Sequence, residues 1–370
     1  MNNIIHQVGK LIQNGLRYRF LKLLGKPHRL ESISLELTHR CICRCQMCNI
    51  WKIPNTVPDL ELPVWLDLLS SPALRHLKEL DLTGGEPFLR KDLGDLLLGI
   101  CTLKPNQFPG LRTVSITTNG ILTDRVLKVV QDCIGPLAEH DIDLVFACGM
   151  DAAGETHDKV RQFPGAWEKL QKTLAGLQQI RDNHPNLILG LKTTIVPQNV
   201  DELEGIADFA EANGLFTIIS PCIITPNRFG NLDLEGDLKF SSADIQKLIQ
   251  FYQGPRFRWS GHREAMLGYL QTGTIKKPCS ASYNTLFVRH NGEVFGCPIM
   301  AKSLGNIQEQ PLADIFRGPV ADRFRKQVGS YGTCASCTEP GLERIAWTLE
   351  GFTLLRLLTR NSGRDYQQLV

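Results

Sequence analysis

Cys41, Cys45 and Cys48 stand in the spacing C-x3-C-x2-C on the segment Thr38-His39-Arg40-Cys41-Ile42-Cys43-Arg44-Cys45-Gln46-Met47-Cys48. Thiolates are metal ligands, and three on one tight loop can hold three irons of a cubane [4Fe–4S] cluster. The fourth iron then has no protein ligand, and an open coordination position is what separates a reactive metal centre from a structural one. Three thiolates with His39 would also satisfy zinc, so the spacing leaves both metals open. Cys43 is one residue removed from Cys45 and is read as a bystander. A second set, Cys279, Cys297, Cys334 and Cys337, has intervening lengths of 17, 36 and 2 residues. Cys334 and Cys337 form a two-ligand knuckle. Four thiolates close a site completely, and again zinc or a [4Fe–4S] cluster fits.

The elements that must position these residues follow from periodicity. Strand-like segments at 32–37, 78–82, 112–117, 142–148, 187–196 and 215–220 alternate with helix-like segments at 64–69, 93–103, 123–130, 167–180 and 200–212. Thr123-Asp124 reads as a helix cap. Six β/α units in order predict an α/β fold with a parallel sheet and right-handed crossovers. Six is short of the eight that close a full barrel, so the expectation is a partial (β/α)6, TIM-like open barrel with its site at the carboxyl ends of the strands. The Gly/Pro/Asn-rich stretch 221–240 follows the sixth strand and is expected to touch substrate. Residues 241–252 read as a helix. Asn291-Gly292 between apolar runs predicts a two-residue hairpin, and 342–358 reads as one amphipathic helix. The expected division is an N-terminal helix over 1–30, the barrel over 31–255, a small Cys-rich auxiliary domain over 256–340, and a C-terminal helix and tail over 341–370.

Composition narrows the function. Lys plus Arg number 41 and Asp plus Glu 38, a poor electrostatic footprint for a nucleic-acid binder. Twelve cysteines among 370 residues, with no run of 18 apolar residues and no export leader, indicate a reducing, cytoplasmic setting. Cys101, Cys133, Cys148 and Cys222 lie singly on apolar segments and read as small buried hydrophobes. The first 30 residues carry six Lys/Arg and no Asp/Glu. Ile5, Val8, Ile12, Leu16, Phe20 and Leu23 recur there at helical spacing, either to cap a barrel mouth or to contact a membrane surface.

The cysteine loop after a first strand resembles the signature of radical S-adenosylmethionine enzymes. Thr83-Gly84-Gly85-Glu86-Pro87 after the second strand is similar to that family's Gly-Gly-Glu motif, and Thr117-Thr118-Asn119-Gly120 after the third to its Thr-Asn-Gly. Gly149-Met150-Asp151 with His157-Asp158-Lys159-Val160-Arg161 resembles the Ser-x-Asp-Gly…His-Asp-x-x-Arg text of a subgroup with a C-terminal extension, except that Gly149 replaces the serine and Met47 an aromatic. The resemblance implies a [4Fe–4S] cluster on Cys41, Cys45 and Cys48 whose open iron binds the S-adenosylmethionine amine and carboxylate. It implies Gly84, Gly85 and Glu86 at the amine, and Thr118, Asn119, Asp151 and Arg161 as further cofactor contacts. Asp151 and His157 are nominees for a general base.

Cys279…Gly292-x4-Cys297…Cys334-x2-Cys337 looks like the shortened, single-cluster (twitch) form of the SPASM extension. It implies one auxiliary [4Fe–4S] cluster in preference to zinc. The activity implied is reductive cleavage of S-adenosylmethionine by an electron from a flavodoxin or ferredoxin. The resulting 5′-deoxyadenosyl radical takes a hydrogen atom from a small-molecule or lipid-linked substrate. The alternatives are a maturase of peptides or proteins and, from another class, a non-catalytic iron–sulfur or zinc protein.

Overall fold

A computed structural model describes residues 2–54, 56–257 and 261–360. By packing, the chain forms two units: a barrel unit of 30–239 and 286–316, and a helical unit of 1–29, 240–285 and 317–370. The breaks expected near 255 and 340 both lie inside the helical unit.

In the barrel unit, β1 (Ser32–Glu36), β2 (Glu79–Thr83), β3 (Thr113–Thr118), β4 (Asp143–Gly149), β5 (Leu187–Ile195) and β6 (Phe216–Pro221) are the six expected strands. Each pairs in parallel with the next in sequence. Helices at Leu62–Leu69, Leu93–Gln107, Thr123–Glu139, Ala166–Arg181 and Leu203–Ala212 form the crossovers. Register explains why the sequence folds this way. Leu35, Leu82, Ile116, Phe146 and Leu189 are successive partners across five strands. Ile33, Leu80, Val114, Leu144 and Leu187 make a second row two residues earlier. Both rows are buried, and each such side chain contributes about 1.5–3 kcal/mol on leaving water. A slip of one residue would turn both rows to the other face.

Three local readings change. Thr123 is the first helical residue instead of the cap, and its hydroxyl instead meets Thr173 at 2.8 Å. The helices expected over 93–103 and 123–130 run on through Pro105 and Pro136 to Gln107 and Glu139. The predicted hairpin forms between β7 (Thr285–Val288) and β8 (Glu293–Phe295), and β9 (Ser303–Asn306) completes an antiparallel meander. Its turn has three residues, not two: the Gly292 N–H bonds the Arg289 carbonyl at 2.9 Å, and Gly292 takes the positive φ of 86°. This meander lies beside β1 in the order β6-β5-β4-β3-β2-β1-β7-β8-β9. That pairing explains why residues 286–316, expected in the auxiliary domain, pack with the barrel.

In the helical unit, Asn2–Leu24 packs against helices at Pro319–Lys326, Gly341–Glu350 and Phe352–Arg360. The helix expected over 342–358 breaks at Gly351, φ +70°, where a side chain would collide with the Leu11 carbonyl. The tail 361–370 lies outside the described residues. The Tyr18 hydroxyl donates to the Cys279 carbonyl at 2.5 Å, and Arg325, fully buried, donates to the carbonyls of Gly25 and Ser282 at 2.9 and 3.1 Å. No described helix is long and apolar enough to cross a membrane.

Candidate metal and cofactor site

The carboxyl ends of the strands converge on one cavity of the barrel unit. Its lining includes Cys41, Cys43, Cys45 and Cys48 from the loop after β1, Gly84 and Gly85 after β2, Thr117, Thr118 and Asn119 at the end of β3, Gly149 from β4, and Arg161. Residues separated by more than 100 positions thus share one wall because parallel strands all deliver their carboxyl ends to the same side.

Gly84 and Gly85 are required by close backbone approach. Gly84 has φ +150°, and a side chain there would meet the Thr38 backbone. A side chain on Gly85 would strike the Arg40 carbonyl. The turn is also tied to the cysteine loop by hydrogen bonds: Gly85 N–H to the Thr38 carbonyl and Glu86 N–H to the Arg40 carbonyl, both 2.8 Å. The glycines therefore let two loops lie against each other while leaving backbone at the cavity wall.

Glu86 does something other than expected. It is fully buried and absent from the cavity lining. One carboxylate oxygen accepts from the Phe88 N–H at 3.1 Å and the Thr118 hydroxyl at 2.9 Å, and the other accepts from the Asn119 N–H at 2.8 Å. Burial pushes its carboxyl pKa up, against these donors. Glu86 is a strut joining the ends of β2 and β3. It is not placed as the amine's anionic partner. Asn119, held by that strut, brings its side-chain amide to 4.0 Å from the Cys41 sulfur.

Arg161 is the charged centre of the wall. Its Nε lies 2.8 Å from Asp151 Oδ2, and its Nη1 lies 3.9 Å from the Cys45 sulfur. Burial opposes its charge, but Asp151 and the thiols of Cys45, Cys43 and Cys41 outweigh that and raise its pKa. This arrangement accounts for Gly149: a β-carbon there would lie 2.9 Å from Arg161 Cζ. Serine is absent because a guanidinium occupies its space.

Asp151 and His157 are fully buried, and neither lines the cavity. Asp151 accepts the Thr194 N–H at 3.0 Å and pairs with Arg161. His157 Nδ1 accepts the Asp151 N–H at 3.2 Å, and burial depresses its pKa to about 3. The general base expected from these two is not what the geometry provides; both hold Arg161's surroundings in place.

Among the described residues, His39, Asp59 and His290 bring their donor atoms within 4.8 Å of one another. His39, the nominal fourth zinc ligand, turns away: its Nδ1 lies 3.0 Å from Asp59 and its ring sits 4.5 Å from that of His290. The thiols differ among themselves. Cys43 shares its S–H with Cys41 and Cys45, which raises its own pKa. That bond, opposed by burial and helped by Arg161, lowers Cys45 to about 7. Cys43 therefore remains a thiol that supports a neighbouring thiolate. Met47 packs with Val160, Val196 and Leu238 beneath the loop.

Of the second cysteine set, Cys279, Cys334 and Cys337 belong to the helical unit, and Cys297, two residues past β8, to the barrel unit. Burial raises Cys279 to about 11, with smaller contributions from the charges of Cys337 and Cys334.

Several cavity residues carried no motif. Lys192 on β5, Cys222 after β6, and Arg228 and Phe229 in the 221–240 stretch all line it. Cys222 is thus only half-buried and unlike Cys101, Cys133 and Cys148, which are buried as expected. The stretch is strapped over the cysteine loop: buried Asn231 donates to the Met47 and Ile223 carbonyls at 2.8 and 3.0 Å, and Asn49 donates to Asp233 at 2.7 Å. The only sequence signal was its position after the sixth strand.

The structure thus presents an open parallel barrel whose first loop holds three cysteines beside a glycine turn. The chain belongs to the radical S-adenosylmethionine superfamily: that family's model matches residues 35–210, and the SPASM iron–sulfur cluster-binding domain matches 279–338. S-adenosylmethionine and [4Fe–4S] clusters, an auxiliary one included, are its cofactors. The chain is 25% identical over 320 residues to the AdoMet-dependent heme synthase of Methanosarcina barkeri, covering 80% of this chain and 83% of that one. It is 23% identical over 340 residues to the PqqA peptide cyclase of Methylocella silvestris, covering 86% and 83%. In fold it resembles SuiB of Streptococcus suis bound to S-adenosylmethionine, with a TM-score of 0.58 at 15% identity over 86% of this chain and 75% of that one. SuiB bound to its precursor peptide SuiA gives 0.57 at 14% identity, covering 91% and 74%.

Proposed function

We propose that this radical S-adenosylmethionine enzyme modifies a peptide or protein substrate. The sequence had placed a small-molecule or lipid-linked substrate first and a peptide second. A relative named as a peptide cyclase, matched over most of both chains, supports the opposite order. The observation that carries the site assignment is the single cavity shared by Cys41, Cys45, Cys48, Gly84, Gly85, Asn119 and Arg161.

Cys41, Cys45 and Cys48 would hold the [4Fe–4S] cluster and leave one iron without a protein ligand. When bound, cluster and S-adenosylmethionine supply reductive carbon–sulfur cleavage and hydrogen-atom abstraction. The protein's part is orientation and exclusion of water. Arg161, already fixed by Asp151, offers the guanidinium fork suited to a carboxylate. Asn119 and Cys43 place weak donors on the cysteine sulfurs, and hydrogen bonds to sulfur tune a cluster's potential. The strap carrying Arg228 and Phe229 shields the loop from solvent. Cys279, Cys297, Cys334 and Cys337 would hold the auxiliary cluster, which, with every iron ligated by protein, suits electron relay rather than substrate binding. A flavodoxin or ferredoxin would be the reductant.

The heme synthase relative keeps a small-molecule substrate as the second reading. The test is anaerobic reconstitution followed by reduction with S-adenosylmethionine. Release of 5′-deoxyadenosine is expected from the wild type and from Cys43→Ser, and none from Cys45→Ala. Precursor peptides encoded beside the gene should then bind and stimulate release. Stimulation by a tetrapyrrole and by none of these peptides would replace the peptide reading with the small-molecule one. No release under any condition would leave only a metalloprotein of the same fold.

A further inference from the structure

Of the periodic apolar residues of the N-terminal helix, expected either to cap a barrel mouth or to contact a membrane surface, four lie exposed. Ile12, Leu16, Phe20 and Leu23 are 39, 60, 61 and 77% exposed. At 3.6 residues per turn they fall within about 80° of one another. The face that does pack carries Gly15 and Tyr18, both buried, with Gly15 against the Phe352 ring and Tyr18 edge-on to Tyr283 at 5.2 Å. The helix therefore has two apolar faces, one docked within the helical unit and one turned outward.

The charges beside the outward stripe are of one sign. Lys10 and Arg17 flank one side and Arg19, stacked over the Phe352 ring at 4.2 Å, borders the other; all three are exposed. Residues 2–24 contain no Asp or Glu. Long cationic side chains bordering a narrow apolar stripe are the arrangement of a helix lying in a lipid interface. The ammonium and guanidinium groups reach the headgroups while the stripe enters the acyl boundary. A protein partner would need acidic groups matched to these positions. An anionic lipid surface supplies that complementarity at any rotation about the membrane normal.

We propose that the outward face of the Asn2–Leu24 helix, through Leu16, Phe20, Leu23 and the flanking Arg17 and Arg19, docks the enzyme peripherally on an anionic lipid surface. This docking is independent of the substrate class and would stand if the peptide reading fell.

The test is co-sedimentation of the reconstituted full chain with vesicles of phosphatidylcholine, with and without about a third phosphatidylglycerol. Binding is expected to the anionic vesicles at low salt and to be lost at high salt. Leu16→Ser/Phe20→Ser should weaken it roughly a hundredfold, and Arg17→Gln/Arg19→Gln roughly thirtyfold. Both variants should keep the wild-type circular dichroism and 5′-deoxyadenosine release without vesicles, since none of these residues touches the cavity. Failure of the wild type to sediment with anionic vesicles would overturn the proposal, as would equal binding by the Leu16→Ser/Phe20→Ser variant. Self-association of the vesicle-free protein that this variant abolishes would also overturn it, by assigning the stripe to a second copy of the chain.

Discussion

Replacing Glu86 by Gln tests whether this residue is a strut or a ligand contact. The carboxylate is fully buried and receives three hydrogen bonds of 2.8–3.1 Å from Phe88, Thr118 and Asn119. Glutamine keeps one oxygen. If that oxygen stays with Phe88 and Thr118, an NH2 group faces the Asn119 N–H, and a buried donor loses its acceptor at about 1–3 kcal/mol. The two bonds that remain fall from charge-assisted to neutral, about 1 kcal/mol each. Relief of the buried charge returns about 1 kcal/mol, the sense implied by its raised pKa. The net is a loss of about 3 kcal/mol, read as a lower urea midpoint with an unchanged slope. S-adenosylmethionine affinity, measured anaerobically by calorimetry, should fall as well, because Asn119 and the Gly84-Gly85 turn are no longer held together. The reasoning is refuted if Glu86→Gln keeps the wild-type midpoint and loses only ligand affinity. That outcome would put the carboxylate on the amine, as the sequence motif alone implied.

Two further outcomes follow from the surroundings of Arg161. Gly149→Ser should expel the Arg161 guanidinium, leaving Asp151 buried without its partner at a cost of about 3–5 kcal/mol; Gly149→Ala should cost nearly as much. A gain in S-adenosylmethionine affinity for the serine variant would show instead that the position contacts the cofactor. His157 titrates near 3 when folded, against an ordinary value of 6.5. Its contribution to stability is therefore complete above about 6.5 and is lost as pH falls toward 3, by about 1.4 kcal/mol per unit. Asparagine keeps an acceptor for the Asp151 N–H but does not titrate. Between pH 6.5 and 5 the urea midpoint of His157→Asn should fall less than that of the wild type, by the equivalent of about 2 kcal/mol. Parallel midpoint–pH curves would show that His157 is not buried as a neutral ring.

The motifs were legible because they are local. Cys41, Cys45 and Cys48 lie within eight positions of one another, and a loop that short brings its thiols together in any fold. Gly84 and Gly85 announced a close approach, although not that Thr38 and Arg40 are what approach. What a carboxylate or a guanidinium faces was not legible. Glu86 and Arg161 sit in family motifs, yet one is turned into the wall and the other onto Asp151 and Cys45. Lys192, Cys222 and Arg228 had no motif and reach the cavity only through the strand ends and the strap. The helical spacing of Ile12, Leu16, Phe20 and Leu23 predicted a helix correctly and left its apolar face undecided, because periodicity marks an apolar stripe without saying whether anything covers it.

By itself, then, the amino-acid order determined the six parallel β/α units and the metal-binding loop. Both depend on spacing along the chain: alternation within a strand, 3.6-residue repeats within a helix, and thiols a few residues apart. The tertiary structure alone decided that the hairpin at 285–295 joins the barrel sheet, that Glu86 braces β2 to β3, and that Arg161 fills the space of the missing serine. Those outcomes depend on contacts between residues far apart in sequence, whose partners are set by strand register and by the volume left between packed elements.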